Sequence, residues 1–262
     1  MKKNGKKRLK HRGLVQQWIC TKCGKYDKRE LMKKMWYPRK LVILAVEMYV
    51  LGNPADRIVE TVYEQYEIWI SESIIYVWYL KFASNIPRYE FDNLDEMLHD
   101  DDTQIKGKKK GQKFHKFALK CPKTKIMFTY MSETKDEETV KEHFREAKRK
   151  FKPWYLPKLV RTDSLPSYPH AISTIFNHEA KHDKFKSFKE HSNNEIENTF
   201  RDKKFYPRFE KIYRAKKFEA LKEYRYNFIR KHRTINKTPA EEAGLSRGSW
   251  KEIIKTDLFQ HA

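Results

Sequence analysis

The sequence contains few cysteines and no long apolar run. The first absence argues against a disulfide-stabilised secreted protein, and the second argues against a membrane-spanning one. Three cysteines in 262 residues are too few for a disulfide framework, so we expect a reducing compartment. The most apolar run, 41–51, is interrupted by Glu47 and is too short to span a bilayer. The basic N-terminus is not followed by the apolar core of a secretory signal. We therefore expect an intracellular protein that does not enter the membrane.

Acidic residues are scarce relative to basic ones. The chain has 57 Lys and Arg against 35 Asp and Glu, a net charge of +22. Residues 1–40 alone carry 15 basic and two acidic side chains, a net charge of +13. Such a segment suits a polyanion such as nucleic acid, because each phosphate that a basic residue neutralises releases counterions. A solubilising or disordered tail is the alternative.

Three short helices are predicted between residues 36 and 90. Pro38 suits the first turn of one helix, the pair Asn53–Pro54 opens a second, and Ser71 can cap a third. Short helices joined by tight turns are typical of a helix-turn-helix unit.

From about residue 95 the pattern changes to alternating strands and helices. Strands are predicted at about 99–107, 113–120, 125–131, 158–162 and near Lys184. Helices are predicted at 134–151, opened by a capping box of Thr134 and Glu137, and at 168–176, 192–206 and 209–232. This order predicts an α/β fold with a mixed sheet.

Three acids lie at the ends of different predicted elements. Asp101 begins the first strand of this region, Asp163 ends the fourth, and Glu197 lies about one turn into a capped helix. Alternation along the strand places Asp101 on the face opposite Asp100 and Asp102. Carboxylates that converge at one sheet edge could hold the two divalent cations that metal-dependent cleavage of a phosphodiester requires. Without further context, ordinary solvent-exposed acids at the ends of strands and helices would show the same sequence pattern.

The surroundings of these acids resemble a known family, the insertion-sequence DDE transposases of bacteria and archaea, which are relatives of retroviral integrases. The run Thr162–Tyr168 (TDSLPSY) looks like the second-aspartate motif of that family, and Asn193–Asn198 (NNEIEN) is similar to the motif around its catalytic glutamate. The two acids are 34 positions apart, as in the family. Tyr226–His232 and Thr238–Gly244 resemble its closing helix and tail, so the resemblance covers nearly the whole chain.

The resemblance implies an RNase H-like fold, in which helices flank a mixed five-stranded sheet and a small all-α helix-turn-helix precedes it. Four segments are expected. Residues 1–35 would form a basic arm with half a zinc-ribbon knuckle, and 36–90 a DNA-binding helix-turn-helix. Residues 91–235 would form the catalytic domain and 236–262 a C-terminal tail.

The resemblance also implies an activity: hydrolysis at each transposon end, followed by attack of the freed 3′-hydroxyl on target DNA. Asp101 and Asp163 would hold both of two Mg²⁺ or Mn²⁺ ions, and Glu197 would hold one. The implied partners are double-stranded DNA and a second copy of the chain, with no small-molecule substrate and no membrane. The expected location is the cytoplasm of a prokaryote, at the nucleoid.

Several basic residues are candidates for DNA contacts. Lys204, two helical turns after Glu197, occupies the position of the family's residue that contacts transposon-end DNA, and Arg201 lies on the same predicted helix. Residues 106–125 contain nine lysines and no acid, among them Lys108, Lys109 and Lys110, with Phe114 and Phe117 interleaved. This stretch could follow a phosphate backbone or form a solvated hairpin.

The third predicted helix of residues 36–90 is poor in basic groups for a helix in the major groove. It offers Tyr76, Tyr79 and Lys81, but also Glu72. Recognition of the terminal repeats and a purely structural bundle both remain open for this segment.

The chain departs from the family pattern at several positions. The usual Asp-Glu-Thr is Asp101-Asp102-Thr103, Asn198 stands where a basic residue is usual, and Cys121 replaces an aspartate in a turn. We interpret Cys121 as a buried or turn thiol rather than a nucleophile, because no activating partner is evident.

The cysteines near the N-terminus supply half of a zinc site. Cys20 and Cys23 form one C-x-x-C pair, and His11 is the one histidine nearby. In similar transposases the second pair precedes the basic stretch, where this chain has Met1. We expect no zinc site closed within the chain, because four ligands are required. A late start codon or a degenerate copy would explain the missing pair.

Two other functions compete with transposition. A catalytically inactive or repurposed DNA-binding protein would fit the incomplete knuckle, whereas the survival of all three acids argues against it. A standalone nuclease fits less well, because the basic arm and the helix-turn-helix imply selection of a DNA site.

Overall fold

The computed structural model describes residues 2–9, 13–19, 26–27, 37–163, 165–184, 200–201 and 205–255. The chain divides into two compact units. The first contains Met1–Asn85 and Trp250–Ala262, and the second contains Ile86–Ser249. The division into four functional segments expected from the sequence stays a prediction.

The N-terminal segment of the first unit includes a small antiparallel sheet. Strands β1 (Lys2–Leu9), β2 (Gly13–Ile19) and β3 (Tyr26–Asp27) pair in the order β1-β2-β3. The pattern of residues 14–19 predicts a short strand that leads into the C-x-x-C pair, and these residues lie in β2, whereas the pattern of residues 2–9 does not predict β1. Glycine at positions 5 and 13 and the density of lysines had obscured the strand pattern. Cys20, Cys23 and His11 lie outside the described residues.

Three helices follow in the first unit: α1 (Arg39–Val50), α2 (Ala55–Tyr66) and α3 (Glu72–Ser84). The predicted starts are confirmed at Pro38 and Ser71, and the second helix begins after Pro54. Ser71 does not cap the backbone, since its hydroxyl lies 2.9 Å from that of Ser73. The helices bury apolar side chains at helical spacing, which include Leu41, Val42, Ala45, Ile58, Val62, Trp78 and Phe82.

Tyr79 corrects one expectation for α3. Its side chain is 1% exposed and packs against Tyr49, with ring centroids 5.1 Å apart. It is therefore part of the bundle core and cannot reach a DNA groove. Tyr76 is 39% exposed and remains available.

A five-stranded mixed sheet organises the described part of the second unit. Its strands are β4 (Met97–Lys106), β5 (Lys113–Lys120), β6 (Met127–Ser132), β7 (Leu159–Thr162) and β8 (Lys181–Lys184). The spatial order is β6-β5-β4-β7-β8. The first three strands pair antiparallel, and β7 and β8 add in parallel beside β4. This arrangement is the RNase H-like sheet, and the predicted fold class is confirmed.

The described helices of the second unit are α4 (Glu137–Lys148), α5 (Ser167–Ile175), α6 (Ile212–Tyr224) and α7 (Pro239–Glu242), of which α4 and α6 pack against the sheet. The first unit contains a further described helix, α8 (Trp250–Lys255). Every described helix is too short or too polar to cross a membrane.

Two helix boundaries differ from the prediction. The residue that caps α4 is Asp136, whose carboxylate accepts a 2.8 Å hydrogen bond from the Thr139 amide, so the predicted cap at Thr134 is wrong. Thr134 instead places its hydroxyl 2.7 Å from that of Thr139. The long closing helix ends at Tyr224 and passes into a π-helical segment, Arg225–Ile229. The helix predicted from Ser192 lies largely outside the described residues.

The cross-strand register defines what each face of the sheet carries. Asp101 lies opposite Ala118, and Thr103 lies opposite Lys116. Because directly opposed residues point to the same side, these side chains share one face. Lys116 meets Glu219 of α6, so this face is the α6 side. Asp100 points to the other face, where it meets His143 of α4.

A buried polar network joins β5 to α6. Lys116 Nζ lies 2.9 Å from Glu219 Oε1 and donates to the Tyr206 hydroxyl at 2.6 Å. The Tyr206 hydroxyl donates to Glu219 Oε2 at 2.5 Å. The Lys116 and Glu219 side chains are each 2% exposed. Burying both charges is tolerated because each has a partner, and losing one partner leaves the other uncompensated.

We predict that Glu219→Gln lowers the free energy of unfolding by about 3 kcal/mol, because it leaves the buried Lys116 ammonium unpaired. The double variant K116M/E219Q should lose less than the sum of its single variants, since it removes the buried charge altogether. Urea unfolding measures both quantities. The exposed pair Lys158–Glu96 provides the control, since Glu96→Gln should cost under about 0.5 kcal/mol. Additive losses at Lys116 and Glu219 would contradict the prediction.

Candidate active site

Parallel pairing brings Asp101 and Asp163 to one edge of the sheet. Strands β4 and β7 are aligned from Met97 opposite Leu159 to His99 opposite Arg161. Asp101 lies two residues beyond His99, and Asp163 lies two residues beyond Arg161. Carboxylate oxygens of Asp101, Asp102 and Asp163 all lie within 4.8 Å of one another. The predicted meeting of Asp101 with Asp163 is thus present in the geometry.

Backbone hydrogen bonds orient the two carboxylates. Asp101 Oδ1 accepts from the Asp102 amide at 2.8 Å, and Asp163 Oδ1 accepts from the Leu165 amide at 3.0 Å. Each bond links a carboxylate to the backbone just after it, so the side chains are held near the strand ends. A preorganised pair of this kind reduces the cost of gathering ligands around a cation.

Asp102 belongs to the same cluster but has other partners. It forms an ion pair with Lys135, and its Oδ2 lies 3.8 Å from His115 Nδ1. Its side chain is 7% exposed. The alternation along β4 had placed Asp102 on the face away from Asp101, and that pattern gave no sign that its carboxylate would also reach the cluster.

The electrostatics of the cluster concentrate on Asp101. The pKa of Asp101 is raised to about 7, mainly by burial and also by the carboxylates of Asp163, Asp100 and Asp102, while the hydrogen bond from the Asp102 amide acts in the opposite direction. The oxygens are hard ligands of the kind that Mg²⁺ and Mn²⁺ prefer. A bound divalent cation would favour the ionised form of Asp101, so the donor set fits a metal of this class.

The third expected acid, Glu197, lies outside the described residues, as does Lys204. The described chain resumes at Phe200, which is 6% exposed and packs with Ala118 and Met127. Ala118 is the residue directly opposite Asp101. The chain three residues after Glu197 is therefore anchored on the same face of the sheet, beside the cross-strand partner of Asp101.

The lysine-rich stretch divides into exposed and buried members. Lys108, Lys109 and Lys110 are exposed on the turn after β4, and Arg201 is also exposed. Three other lysines of the stretch are buried: Lys116, Lys120 and Lys125. Phe114 and Phe117 are 1% and 0% exposed, so they belong to the core and cannot stack on bases. The interpretation that this stretch follows a phosphate backbone therefore rests on its exposed lysines and stays a prediction.

Cys121 lies in the core, as predicted. It is fully buried, and its sulfur accepts a hydrogen bond from the Asp95 amide at 3.3 Å. A buried thiol bonded in this way has no access to a substrate.

A family model described as a DDE domain matches residues 97–238, which is more than half of the chain. The chain belongs to the DDE-domain transposases. The match runs from β4 through α6 and includes the positions of Asp101, Asp163 and Glu197. This transposase is therefore an enzyme of DNA transposition, as the sequence predicted, and the catalytically inactive alternative is not favoured. The family uses a divalent metal ion.

Solved integrase structures are similar to this DDE transposase. The HTLV-2 integrase catalytic core domain in complex with magnesium is 18% identical, with a TM-score of 0.40 over 60% of this chain and 99% of that one. The integrase chain of a simian T-cell lymphotropic virus intasome is 12% identical, with a TM-score of 0.45 over 78% and 76%. The catalytic core of BIV integrase is 12% identical, with a TM-score of 0.40 over 55% and 91%. No curated protein sequence matches the chain.

We predict that Asp101→Asn stabilises the metal-free transposase at pH 8, because it removes a partly buried carboxylate that is ionised at this pH. The folded pKa of about 7 lies above the unfolded value of 3.8, so the wild type loses stability as pH rises between these values. The slope is about 1.4 kcal/mol per pH unit at most. The advantage of Asp101→Asn should therefore be largest above pH 7 and shrink towards pH 4.

Thermal unfolding from pH 5 to pH 8.5 in a chelator measures this advantage. Adding Mn²⁺ should then raise the melting temperature of the wild type more than that of Asp101→Asn, since the cation needs the ionised carboxylate. A stability difference that does not change with pH would show that Asp101 is not the titrating group.

Proposed function

We propose that Asp101, Asp163 and Glu197 carry the transposition chemistry of this chain with two Mg²⁺ or Mn²⁺ ions. The observation that carries the proposal is the approach of Asp101 and Asp163 within 4.8 Å at the end of two parallel strands. Two carboxylates on rigid strands so close together repel each other unless a proton or a cation lies between them. In a protein whose family cuts DNA, a divalent cation is the natural partner.

The anchored chain after Glu197 supports its inclusion as the third ligand. Three residues span at most about 11 Å, so Glu197 must lie within that distance of the buried Phe200. Phe200 packs against Ala118, across the strand from Asp101. Tyr206, held by Lys116 and Glu219, fixes the same segment a few residues later. The short chain distance from Glu197 to Phe200 supports the assignment of Glu197 as the third ligand.

Asp102 is assigned a supporting part rather than that of the third ligand. Its charge is already matched by Lys135, and His115 lies nearby. A carboxylate that pairs with an ammonium group on one side would bind a cation less strongly than Glu197 could. In this assignment Asp102 links the loop before α4 to the strand that carries Asp101.

The metal ions, when bound, activate the attacking oxygen and stabilise the leaving oxygen of the phosphodiester. The chain itself holds the carboxylates in place and positions the DNA. In the first step the oxygen of a water molecule bonds to phosphorus at each transposon end and the P–O3′ bond breaks, which leaves a 5′-phosphate and a free 3′-hydroxyl. In the second step that 3′-oxygen bonds to a phosphorus of target DNA, the P–O3′ bond of the target breaks, and the displaced target 3′-hydroxyl is the leaving group. Neither step requires a covalent bond to a side chain.

The DNA surface continues beyond the cluster at the same end of the sheet. Strand β4 continues for about 17 Å from Asp101 to its last residue, Lys106. The turn that follows carries Lys108, Lys109 and Lys110. We assign these lysines, with Arg201 and Lys204, to phosphate contacts. The charge of +22 favours such contacts along a duplex.

The first unit is assigned to DNA site selection, and the active assembly to at least two copies of the chain, because two transposon ends must be cut together. Residues 1–35, 36–90, 91–235 and 236–262 would then serve as arm, helix-turn-helix, catalytic domain and tail. The proposed location is the nucleoid of a prokaryote.

We predict that Asp163→Asn abolishes cleavage of transposon-end DNA while binding is retained or slightly strengthened. The substitution removes a metal ligand and a negative charge near the DNA. Gel-shift and cleavage assays on the same protein separate the two effects. Asp183→Asn, at the partly exposed end of β8, is the control and should cleave normally. Cleavage that survives in Asp163→Asn would refute the catalytic assignment.

We predict that Lys108→Gln and Lys110→Gln each make the salt dependence of DNA binding shallower by about one unit in a log–log plot. The effect should be the same for every DNA sequence, because phosphates carry no sequence information. Lys123→Gln is the matched control: it is exposed on the turn after β5, at the opposite end of the sheet. Equal slopes for all three variants would remove the β4–β5 turn from the DNA surface.

A further inference from the structure

Asp100, the residue before Asp101, has a buried partner that the chemistry above does not use. Its Oδ2 lies 2.5 Å from His143 Nε2 of α4, and both side chains are 0% exposed. The imidazole stacks on Phe117, with ring centroids 5.4 Å apart, and also contacts Phe144 at 5.1 Å. Two polar side chains are thus locked together in an aromatic part of the core.

The position of this pair in the sheet matters for the metal ligands. The pairing of β4 with β7 ends at His99 and Arg161. Beyond that point β5 is the described strand that still pairs with β4. Asp100 and Asp101 therefore lie in the part of β4 that pairs with β5 but no longer with β7. The bond to His143 ties the strand to α4 at that point.

Stability alone does not account for the pair. Burial raises the pKa of Asp100, and His143 acts in the opposite direction. A buried pair of this kind seldom stabilises a fold more than apolar residues of the same volume would, because both groups lose their hydration. Such a pair does fix the position of one element relative to another, because a short hydrogen bond sets the distance between them.

The same carboxylate also faces the helix that follows Asp163. Tyr168 of α5 is fully buried, and its pKa is raised well above 10 by burial and then by Asp100. The Tyr168 side chain in turn lowers the pKa of Asp100, so the two side chains interact within the core. Asp100 therefore contacts two helices: α4, through His143, and α5, which follows Asp163 in the chain.

We propose that His143 is a positioning residue, which acts through Asp100 to hold Asp101 at the distance from Asp163 that a divalent cation requires. This inference rests on the proposed metal site, and it concerns geometry rather than the protonation of either group. The inference gives His143, a buried residue of α4 that cannot contact DNA, a role in metal binding.

Three variants of the full-length chain test the proposal. His143→Leu keeps the volume of the side chain and removes the donor. His143→Gln keeps a nitrogen donor close to the position of Nε2. The double variant D100N/H143L removes both the bond and the buried charge, so it should recover much of the stability that His143→Leu loses. Phe151→Leu, at a buried aromatic just after α4 that packs on Phe128, is the control for a core change away from the bond.

Calorimetric titration with Mn²⁺ and thermal unfolding are measured on each protein without DNA. We expect His143→Leu to weaken Mn²⁺ binding by about tenfold, the range typical for partners of metal ligands, and His143→Gln to restore most of it. D100N/H143L should be stable yet still bind weakly. Phe151→Leu should lose stability and bind Mn²⁺ as the wild type does.

The outcomes separate this inference from the proposed function. Unchanged Mn²⁺ affinity in His143→Leu, or normal affinity in D100N/H143L, would overturn the positioning role while the metal site stands. If His143→Leu does not fold, His143→Gln and D100N/H143L decide the question. Equal Mn²⁺ binding by the wild type and Asp163→Asn would overturn the metal site itself, and the positioning role with it.

Discussion

The parallel pairing of β4 with β7 is the constraint on which the candidate site depends. It carries Asp101 and Asp163 to the same edge of the sheet and holds their carboxylates within 4.8 Å of each other and of Asp102. Burial and mutual repulsion disfavour this arrangement, and the pKa of Asp101 at about 7 reflects that cost. A fold that maintains it without a cation must be stabilised elsewhere.

That stabilisation comes from helices on both faces of the sheet, each joined to it by buried polar groups as well as apolar ones. On one face Lys116 meets Glu219 and Tyr206 of the α6 side, and Glu223 accepts hydrogen bonds from the amide and hydroxyl of Thr129. On the other face Asp100 meets His143. Buried polar groups favour a single arrangement, because any shift leaves some of them unsatisfied. The sheet that carries Asp101 is therefore held from both faces, on one face through β5 and β6 and on the other through β4.

Local sequence patterns predicted the elements better than the exposure of individual side chains. The helix starts at Pro38 and Ser71 and the strand 113–120 were predicted because caps, prolines and alternation act over a few residues. Tyr79 was misjudged as available to DNA, because its burial depends on a helix distant in sequence, which packs Tyr49 against it. The π-helical segment after Tyr224 also left no local signal, since its residues keep a helical pattern.

By itself the sequence determined the transposase family, the order of strands and helices, and the candidate acids Asp101 and Asp163, because motif spacing and strand ends are properties of the chain. Tertiary structure alone decided what each acid of the run 100–102 does. Asp100 enters the core to meet His143, Asp101 faces Asp163, and Asp102 is shared between the cluster and Lys135. Alternation along a strand gives only the face of a residue. Its role depends on the partners that packing brings to that face.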